Sequence, residues 1–322
     1  MSRGQFLSNC AADTLSQAAL SLKKGALVVL PTETVYGLGA DASNEKAVAR
    51  IYEVKGRPQD HPLILHIASM NDSTHWAEEI SDYAIALARA FWPGPMTLIF
   101  KRSENAKDFV TGGQNTVGLR VPNHTLALGL LQECKKIGVH AIAAPSANRF
   151  GHVSPTTAVA VQEEIGAYLS ADDLILDGGP AQVGLESTII DCTGDAPKIL
   201  RPGAITQAMI EEATGMTVNE NNNSDIRVSG SLEKHYAPNA QILLEVQASA
   251  GQGFIAPAEV ATPSGAIRLA SPANTDEYAR VLYSALREGD AQGLNTIAVI
   301  QPKGDGLAIA IRDRLMRASK GR

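Results

Sequence analysis

The sequence predicts an α/β protein built on a mixed sheet, followed by a smaller α/β unit. Three observations carry that reading. Short apolar runs alternate with amphipathic helical patterns as far as Asp191. Several of those runs lie beside small, polar or cationic residues, as strand ends do around the ligand crevice of open α/β sheets. A polar stretch without periodicity, Asn219-Glu220-Asn221-Asn222-Asn223-Ser224-Asp225, then separates a second series of strand and helix patterns from the first.

Residues 13–24 read as an amphipathic helix, with Leu15, Ala18, Ala19 and Leu22 on one face, Asp13 as its cap and Gly25 as its end. Ala26-Leu27-Val28-Val29-Leu30 is a strand. Residues 44–54 form a second helix that turns Ala47, Val48, Ile51 and Val54 inward and ends at Gly56. Leu63-Ile64-Leu65-His66-Ile67 is a short strand. The helix over 82–91 stops at Trp92-Pro93-Gly94-Pro95, because proline cannot continue it. Strands follow over 96–100 and 117–121, then a helix over 125–137 and a buried strand over 141–144 that ends in Pro145-Ser146-Ala147-Asn148. A helix over 156–164 and strands over 174–176 and 187–191 complete the first unit. In the second unit, strands over 242–246, 266–269 and 296–300 alternate with helices over 275–288 and 307–318, which reads as a Rossmann-like arrangement. The expected domains are residues 1–216, a linker or lid over 217–239, and residues 240–322.

Composition narrows the function. Apolar residues make up 44% of the 322-residue chain, enough for a core without staples. A net charge of −6 argues against a general polyanion binder, and 5% aromatics argue against a stacking platform for single strands. The three cysteines, Cys10, Cys134 and Cys192, are far apart and fit a reducing cytoplasm better than a disulfide framework. Residues 1–10 lack a basic region followed by an apolar core, and no apolar run is long enough to span a bilayer, so a cytoplasmic location is expected.

Four segments place polar, small or cationic residues just after apolar strands: Pro31 to Gly39, Thr116 to Pro122, Pro145 to Ser154, and Gly184 to Ser187. The first, with Lys55-Gly56-Arg57-Pro58, suggests a small polar ligand beside a polyphosphate. Neither run is a Walker loop or a dinucleotide fingerprint. Lys55 and Arg57 read either as a solvated turn after a helix or as phosphate contacts. Arg120, inside an apolar strand, reads either as half of a buried ion pair or as a fork for a substrate carboxylate. His61 and His66 flank a strand, where a lone histidine is more often structural than a ligand. Ser146 sits on a sharp turn but lacks the pattern of a nucleophile elbow, so its hydroxyl suits a phosphate grip better than a triad. Arg201 is a surface charge or a second phosphate contact. Glu33 and Glu186 lie in the same loops and could form an acid–base pair. No His, Cys or carboxylate set has metal-ligand spacing, so no protein metal site is expected.

Taken together, Pro31-Thr32-Glu33-Thr34-Val35-Tyr36-Gly37-Leu38-Gly39, Lys55-Gly56-Arg57-Pro58, Pro62-Leu63-Ile64-Leu65-His66, Phe91-Trp92-Pro93-Gly94-Pro95-Met96-Thr97, Gly118-Leu119-Arg120-Val121-Pro122, Pro145-Ser146-Ala147-Asn148 and Glu186-Ser187-Thr188-Ile189 resemble the YrdC-domain family. His235-Tyr236-Ala237-Pro238 and the second α/β unit resemble its long, two-domain form. The resemblance is strong over residues 12–205 and looser beyond. It implies a twisted mixed sheet with a concave, positively charged groove. It implies that L-threonine, bicarbonate or CO2, and ATP give threonylcarbamoyl-AMP and pyrophosphate, with Mg²⁺ held mainly by the ATP phosphates. It further implies delivery of the product to a separate transferase complex, which modifies the adenosine beside the anticodon of tRNAs reading ANN codons.

Carried over by motif, the resemblance implies that Thr34, His66, Arg120 and Ser187 contact threonine. It implies that Arg57, His61, Thr116, Ala144, Ser146, Ser154, Arg201 and Tyr236 contact ATP or the adenylate, and that Lys55 adds positive potential. Substrate supplies the nucleophile, so no catalytic Ser or Cys is required. Two departures stand out. His61 replaces the usual Asn, and Ser229-Gly230-Ser231-Leu232-Glu233-Lys234 replaces a Pro-Gly-Met type of run in a linker expected to act as a lid. The rival readings are a non-catalytic RNA-binding or ribosome-assembly factor using the same groove, and a carbamoyl-adenylate enzyme of the hydrogenase-maturation type, whose Cys pairs are missing here.

Overall fold

The computed structural model describes residues 4–7, 12–218, 225–230 and 234–321. Cys10, linker residues 219–224 and residues 231–233 lie outside the described residues. The first unit is one mixed sheet of β1 (Gln5–Leu7), β2 (Val28–Leu30), β3 (Gly37–Asp41), β4 (Ile64–His66), β5 (Ala77–Glu78), β6 (Met96–Arg102), β7 (Thr116–Arg120), β8 (Ile142–Ala143), β9 (Leu174–Leu176), β10 (Thr188–Asp191) and β11 (Lys198–Arg201). Their order across the sheet is β1-β9-β2-β3-β8-β4-β7-β6-β10-β11, with β5 paired to β6. The second unit is a four-stranded sheet of β12 (Gln241–Leu244), β13 (Gly253–Ile255), β14 (Ile267–Ala270) and β15 (Thr296–Val299), ordered β12-β15-β13-β14. Every pairing in it is parallel, as a doubly wound unit requires.

The helices are α1 (Ala12–Lys23), α2 (Glu45–Lys55), α3 (Ser73–Trp76), α4 (Asp82–Phe91), α5 (Asp108–Thr111), α6 (Thr125–Lys136), α7 (Ala158–Ile165), α8 (Gln207–Thr214), α9 (Thr275–Ala291) and α10 (Leu307–Ser319). Short polar side chains start most of the longer ones. Asn44, Ser81, Thr157, Thr206 and Asn274 each accept a first-turn backbone N–H, a contact worth about 1 kcal/mol per helix. Gly56 closes α2 at φ 61°. Asp13 is not the cap of α1. It lies in the first turn, where its charge complements the helix dipole.

Several elements depart from the sequence reading. Pro31 to Gly39 is not all loop, because its last three residues enter β3, antiparallel to β2. The glycines serve packing there: a Cβ on Gly39 would sit 2.7 Å from Ile142 Cγ2 and 2.8 Å from the Val28 carbonyl. The strand expected over 117–121 is β7, so most of the Thr116 to Pro122 segment is strand rather than the loop after one, and Gly184 to Ser187 precedes β10 rather than following a strand. β1, β11, α8 and β13 carried too little alternation or length to be seen.

The sheet buries apolar residues on both faces. One core includes Trp76, Leu65, Leu119, Ile51 and Leu87, and the other lies under α1 and α6 with Ala18, Leu22, Leu130 and Leu131. The second unit has its own core of Tyr278, Leu282, Tyr283, Ile311 and Leu315, and Val35, Val153 and Leu185 of the first unit pack into it. Gly184 makes that contact possible. Its φ of +80° is left-handed, and a Cβ there would lie 2.5 Å from the Arg280 Cα on α9.

Candidate active site

Strand register places the first two functional side chains. β4 and β7 are parallel neighbours, and His66 pairs with Arg120, so both project from adjacent positions on one face. Beside them, β8 runs antiparallel to β4 and leads into Ala144, Pro145 and Ser146, while Gly37 bridges Ser146. Ser187 enters just before β10, and Arg201 ends β11. A single cavity is lined by Thr34, Arg57, His66, Arg120, Ala144, Ser146, Ser187, Arg201 and Tyr236. Nine of the residues singled out from the sequence therefore meet in one place.

Local hydrogen bonds fix these side chains. Thr32 Oγ1 accepts from the Thr34 and Val35 backbone N–H groups and lies 2.8 Å from Thr34 Oγ1, so a short hydroxyl turn holds Thr34. Ser187 Oγ lies 2.8 Å from Thr97 Oγ1 on β6. Arg201 donates from Nε and Nη2 to the Ser187 carbonyl at 3.1 and 2.8 Å, and from Nη1 to the Ser229 carbonyl at 2.8 Å. Arg57 donates to the Pro62 carbonyl at 2.9 Å and to Ser229 Oγ at 3.0 Å. Two arginines from distant parts of the chain thus share one linker residue.

Arg120 satisfies the bland half of its sequence reading: Nη2 lies 2.7 Å from Glu33 Oε1, with both side chains almost fully buried. The N–H direction misses that oxygen, however, and Arg120 Nε and Nη2 and Glu33 Oε1 make no hydrogen bond among the described residues. His66 Nδ1, Arg57 Nε and the Tyr236 hydroxyl are buried and unpartnered in the same way. Buried polar atoms left without partners are costly, and their concentration around one cavity points to a polar ligand.

The electrostatics are those of a dry cationic site. Burial, with Arg120 alongside, brings His66 down to about 3, so its imidazole is neutral across the physiological range. Burial likewise brings the Arg57 guanidinium down to about 10, still charged at neutral pH, and lowers Arg201. Burial alone would raise the Glu186 carboxyl, but Arg314 and Arg201 outweigh it and hold the group at about 2. With Glu186 ionised and Glu33 paired to Arg120, the two carboxylates are tied to separate cations and do not form an acid–base pair.

Other residues lie outside the cavity wall. Lys55 is buried beneath the turn at Ser146 and donates to the Ser146 and Asn148 carbonyls at 2.5 and 2.6 Å. Burial, then the nearby Arg57 charge, holds its ammonium well below the usual lysine range. His61 packs edge-on against Phe150 with ring centroids 5.4 Å apart. Thr116 lines a smaller adjoining cavity under linker residues Ile226 and Val228, which pack on Ile64, Ile99 and Ile189. Ser154 donates to Glu186 Oε1 at 2.6 Å. Ser229, Gly230 and His235 join the lining, as does Glu186. The run that contains the first three was visible in the sequence, but its individual contacts were not. No group of three or more His, Cys, Asp or Glu residues among the described residues could hold a metal.

Residues 21–203 match the Sua5/YciO/YrdC family model, described as telomere recombination, and residues 205–320 match the C-terminal domain of threonylcarbamoyl-AMP synthase. The chain belongs to the Sua5/YrdC family. Among curated members, the threonylcarbamoyl-AMP synthase of Pyrococcus abyssi is 38% identical, covering 94% of this chain and 93% of that protein. The synthase of Bacillus subtilis is also 38% identical, covering 96% and 93%. The crystal structure of P. abyssi Sua5 complexed with L-threonine superposes with a TM-score of 0.87 at 35% identity, covering 98% of this chain and 97% of that one. Both units of this Sua5 family member, the mixed sheet and the small parallel sheet, therefore have counterparts in a solved structure.

Proposed function

We propose that the protein condenses L-threonine, bicarbonate or CO2, and ATP into threonylcarbamoyl-AMP and pyrophosphate. The observation that carries this reading is the cavity itself. Neutral His66, a buried Arg120 with unpartnered N–H groups, and the hydroxyls of Thr34 and Ser187 form one set of lining groups. Arg57 and Arg201, bridged by Ser229, form a second, which meets the first where Arg201 donates to Ser187. The first set fits a small hydroxy-amino acid: a guanidinium for its carboxylate, and hydroxyls with an imidazole for its polar side chain. The second fits phosphate oxygens.

The chemistry asks for positioning and charge stabilisation. The threonine amine adds to CO2 and loses a proton, giving a carbamate. A carbamate oxygen attacks the α-phosphorus of ATP, and pyrophosphate departs with the electron pair of the broken P–O bond. Arg120 orients threonine, while Arg57 and Arg201 stabilise charge on the phosphates. Lys55 acts indirectly by holding the Ser146 turn. Mg²⁺ would be carried on the nucleotide phosphates, whose charge it would neutralise. That fits a lining rich in cations and hydroxyls, whose carboxylate, Glu186, is already ion-paired. We further propose that Ser229 yields its place to phosphate oxygens when ATP binds, that the adenylate passes to a tRNA-modifying transferase complex, and that the protein works in the cytoplasm. No helix among the described residues is long and apolar enough to cross a membrane.

The non-catalytic RNA-binding alternative is not favoured, given the family membership and the net charge of −6. Pyrophosphate release measured with ATP, Mg²⁺, bicarbonate and each amino acid in turn, beside an RNA gel shift, tests the proposal. Threonine-dependent release is expected. RNA binding without any release would overturn it.

A further inference from the structure

Glu186, immediately before Ser187, has both carboxylate oxygens engaged. Oε1 accepts from Ser154 Oγ at 2.6 Å, and Oε2 accepts from Tyr283 Oη at 2.8 Å and from Arg314 Nε at 2.9 Å. Tyr283 stands on α9 and Arg314 on α10, so two of the three donors come from the C-terminal unit. Arg314 is 1% exposed. Its Nη2 donates to the Pro202 carbonyl at 3.0 Å, next to Arg201, and its Nη1 to Asp313 at 2.6 Å. Its guanidinium also lies over the Tyr236 ring, 5.2 Å from the centroid, and Tyr236 stacks on Tyr283 with centroids 5.8 Å apart.

One buried cation from the far unit therefore touches three parts of the site wall: the loop that presents Ser187, the strand end that presents Arg201, and the linker residue Tyr236. Helix docking alone would be served by an apolar side chain. A buried, fully bonded Arg–Glu pair is weak support for stability, because desolvation offsets most of the attraction. What such a pair supplies well is a fixed geometry, since its donors and acceptors are satisfied in only one arrangement.

We propose that Arg314 and Tyr283 are positioning residues for adenylate formation. They lock Glu186, and through it Ser187 and Ser154, and they hold the Tyr236 ring directly, so that the C-terminal unit completes the catalytic cavity of the first unit. This rests on the synthase reading above.

The test uses the full chain, with pyrophosphate release measured against threonine and ATP. Tyr283→Phe removes one hydroxyl and keeps the ring stack. Arg314→Met removes the fork and keeps volume, and pairing it with Glu186→Gln avoids a stranded charge. Arg268→Met is the control. Arg268 bonds the Ala256, Pro257, Val260 and Ala270 carbonyls inside the C-terminal unit, with no contact to Glu186 among its bonds. At a temperature where each variant shows a native melting transition, Tyr283→Phe and Arg314→Met/Glu186→Gln are expected to lose at least about tenfold in kcat/KM, since small misplacements of reacting groups are costly. KM for threonine is expected to rise with them, Arg314→Lys to recover part of the loss, and Arg268→Met to match wild type. Wild-type kcat/KM in folded Tyr283→Phe and Arg314→Met/Glu186→Gln would overturn the proposal, as would an equal loss in Arg268→Met. If the unaltered chain shows no threonine-dependent release, the synthase reading fails first, and separately.

Discussion

Arg120 concentrates the residue-scale argument. Its guanidinium is buried against Glu33, yet Nε and Nη2 remain without hydrogen bonds among the described residues. Both readings open in the sequence thus describe one side chain: an internal ion pair and a fork offered to a carboxylate. Arg120→Lys keeps the charge beside Glu33 but cannot present two parallel N–H groups. It is expected to raise the threonine dissociation constant at least about tenfold, the equivalent of one charge-assisted hydrogen bond, with little change in melting temperature. Calorimetric titration with threonine checks this, and unaltered affinity would remove Arg120 from the threonine site. Lys55 shows what the sequence could not convey. Its position after a helix suggested either a solvated charge or a phosphate contact, whereas it is buried and bonded to two carbonyls across ninety or so positions of chain. Sequence spacing carries no information about a contact of that length. The buried thiols are similar. Burial pushes Cys134 up to about 12 and raises Cys192 as well, so both are expected to resist alkylation at neutral pH until the protein unfolds.

At the scale of elements, strongly periodic segments were legible and weakly patterned ones were not. α2, α4 and α9 follow from apolar spacing and caps, and α10 from apolar spacing alone. β3 was hidden because Gly37-Leu38-Gly39 has little strand propensity. Its conformation is imposed by pairing with β2 and β8 and by the tight approach of Ile142 to Gly39. β11 was hidden by brevity, and α8 gains its place by burying Ile210 in the main core. The linker shows the same dependence on context. Tyr236 holds a left-handed φ of 62°, which costs a non-glycine residue about 1 kcal/mol or more. Its surroundings maintain it: the stacked Tyr283 ring, the Arg314 guanidinium over its own ring, and Gly230, where even a Cβ would lie 2.1 Å from the Tyr236 hydroxyl. Tyr236→Phe deletes only that hydroxyl and is expected to raise KM for ATP severalfold while leaving KM for threonine nearly unchanged. Unaltered ATP kinetics would take the linker hydroxyl out of the nucleotide site.

For the whole molecule, burial of titratable groups at one site ties stability to pH. His66 and His235 both titrate at about 3 in the folded protein, against an ordinary histidine value of about 6.5. The unfolded chain therefore binds more protons than the folded one between those values. The stability they confer is complete above pH 6.5 and is lost as pH falls toward 3, at up to about 1.4 kcal/mol per pH unit for each histidine. Glu186, held at about 2, adds a further loss once pH falls below the ordinary carboxyl range. Melting temperature is accordingly expected to fall steadily from pH 6.5 to pH 4. A flat profile there would contradict the buried, neutral state of both histidines. At this scale the sequence announced two units and the mixed sheet of the first. It did not announce that Val35, Val153 and Leu185 cross into the core of the second, or that Arg314 reaches Glu186. Such contacts depend on how two finished surfaces fit, which no local pattern encodes.

The central claim is that the threonine-binding and nucleotide-binding residues of this cavity act as one site. Mass spectrometry of the product formed from ATP, Mg²⁺, threonine and heavy-carbon bicarbonate tests it most directly. The account predicts an AMP adduct that carries the threonine and the labelled carbon together, formed with pyrophosphate and formed more slowly by Arg120→Lys at subsaturating threonine. An adduct without the label, or one formed equally well with any amino acid, would contradict it.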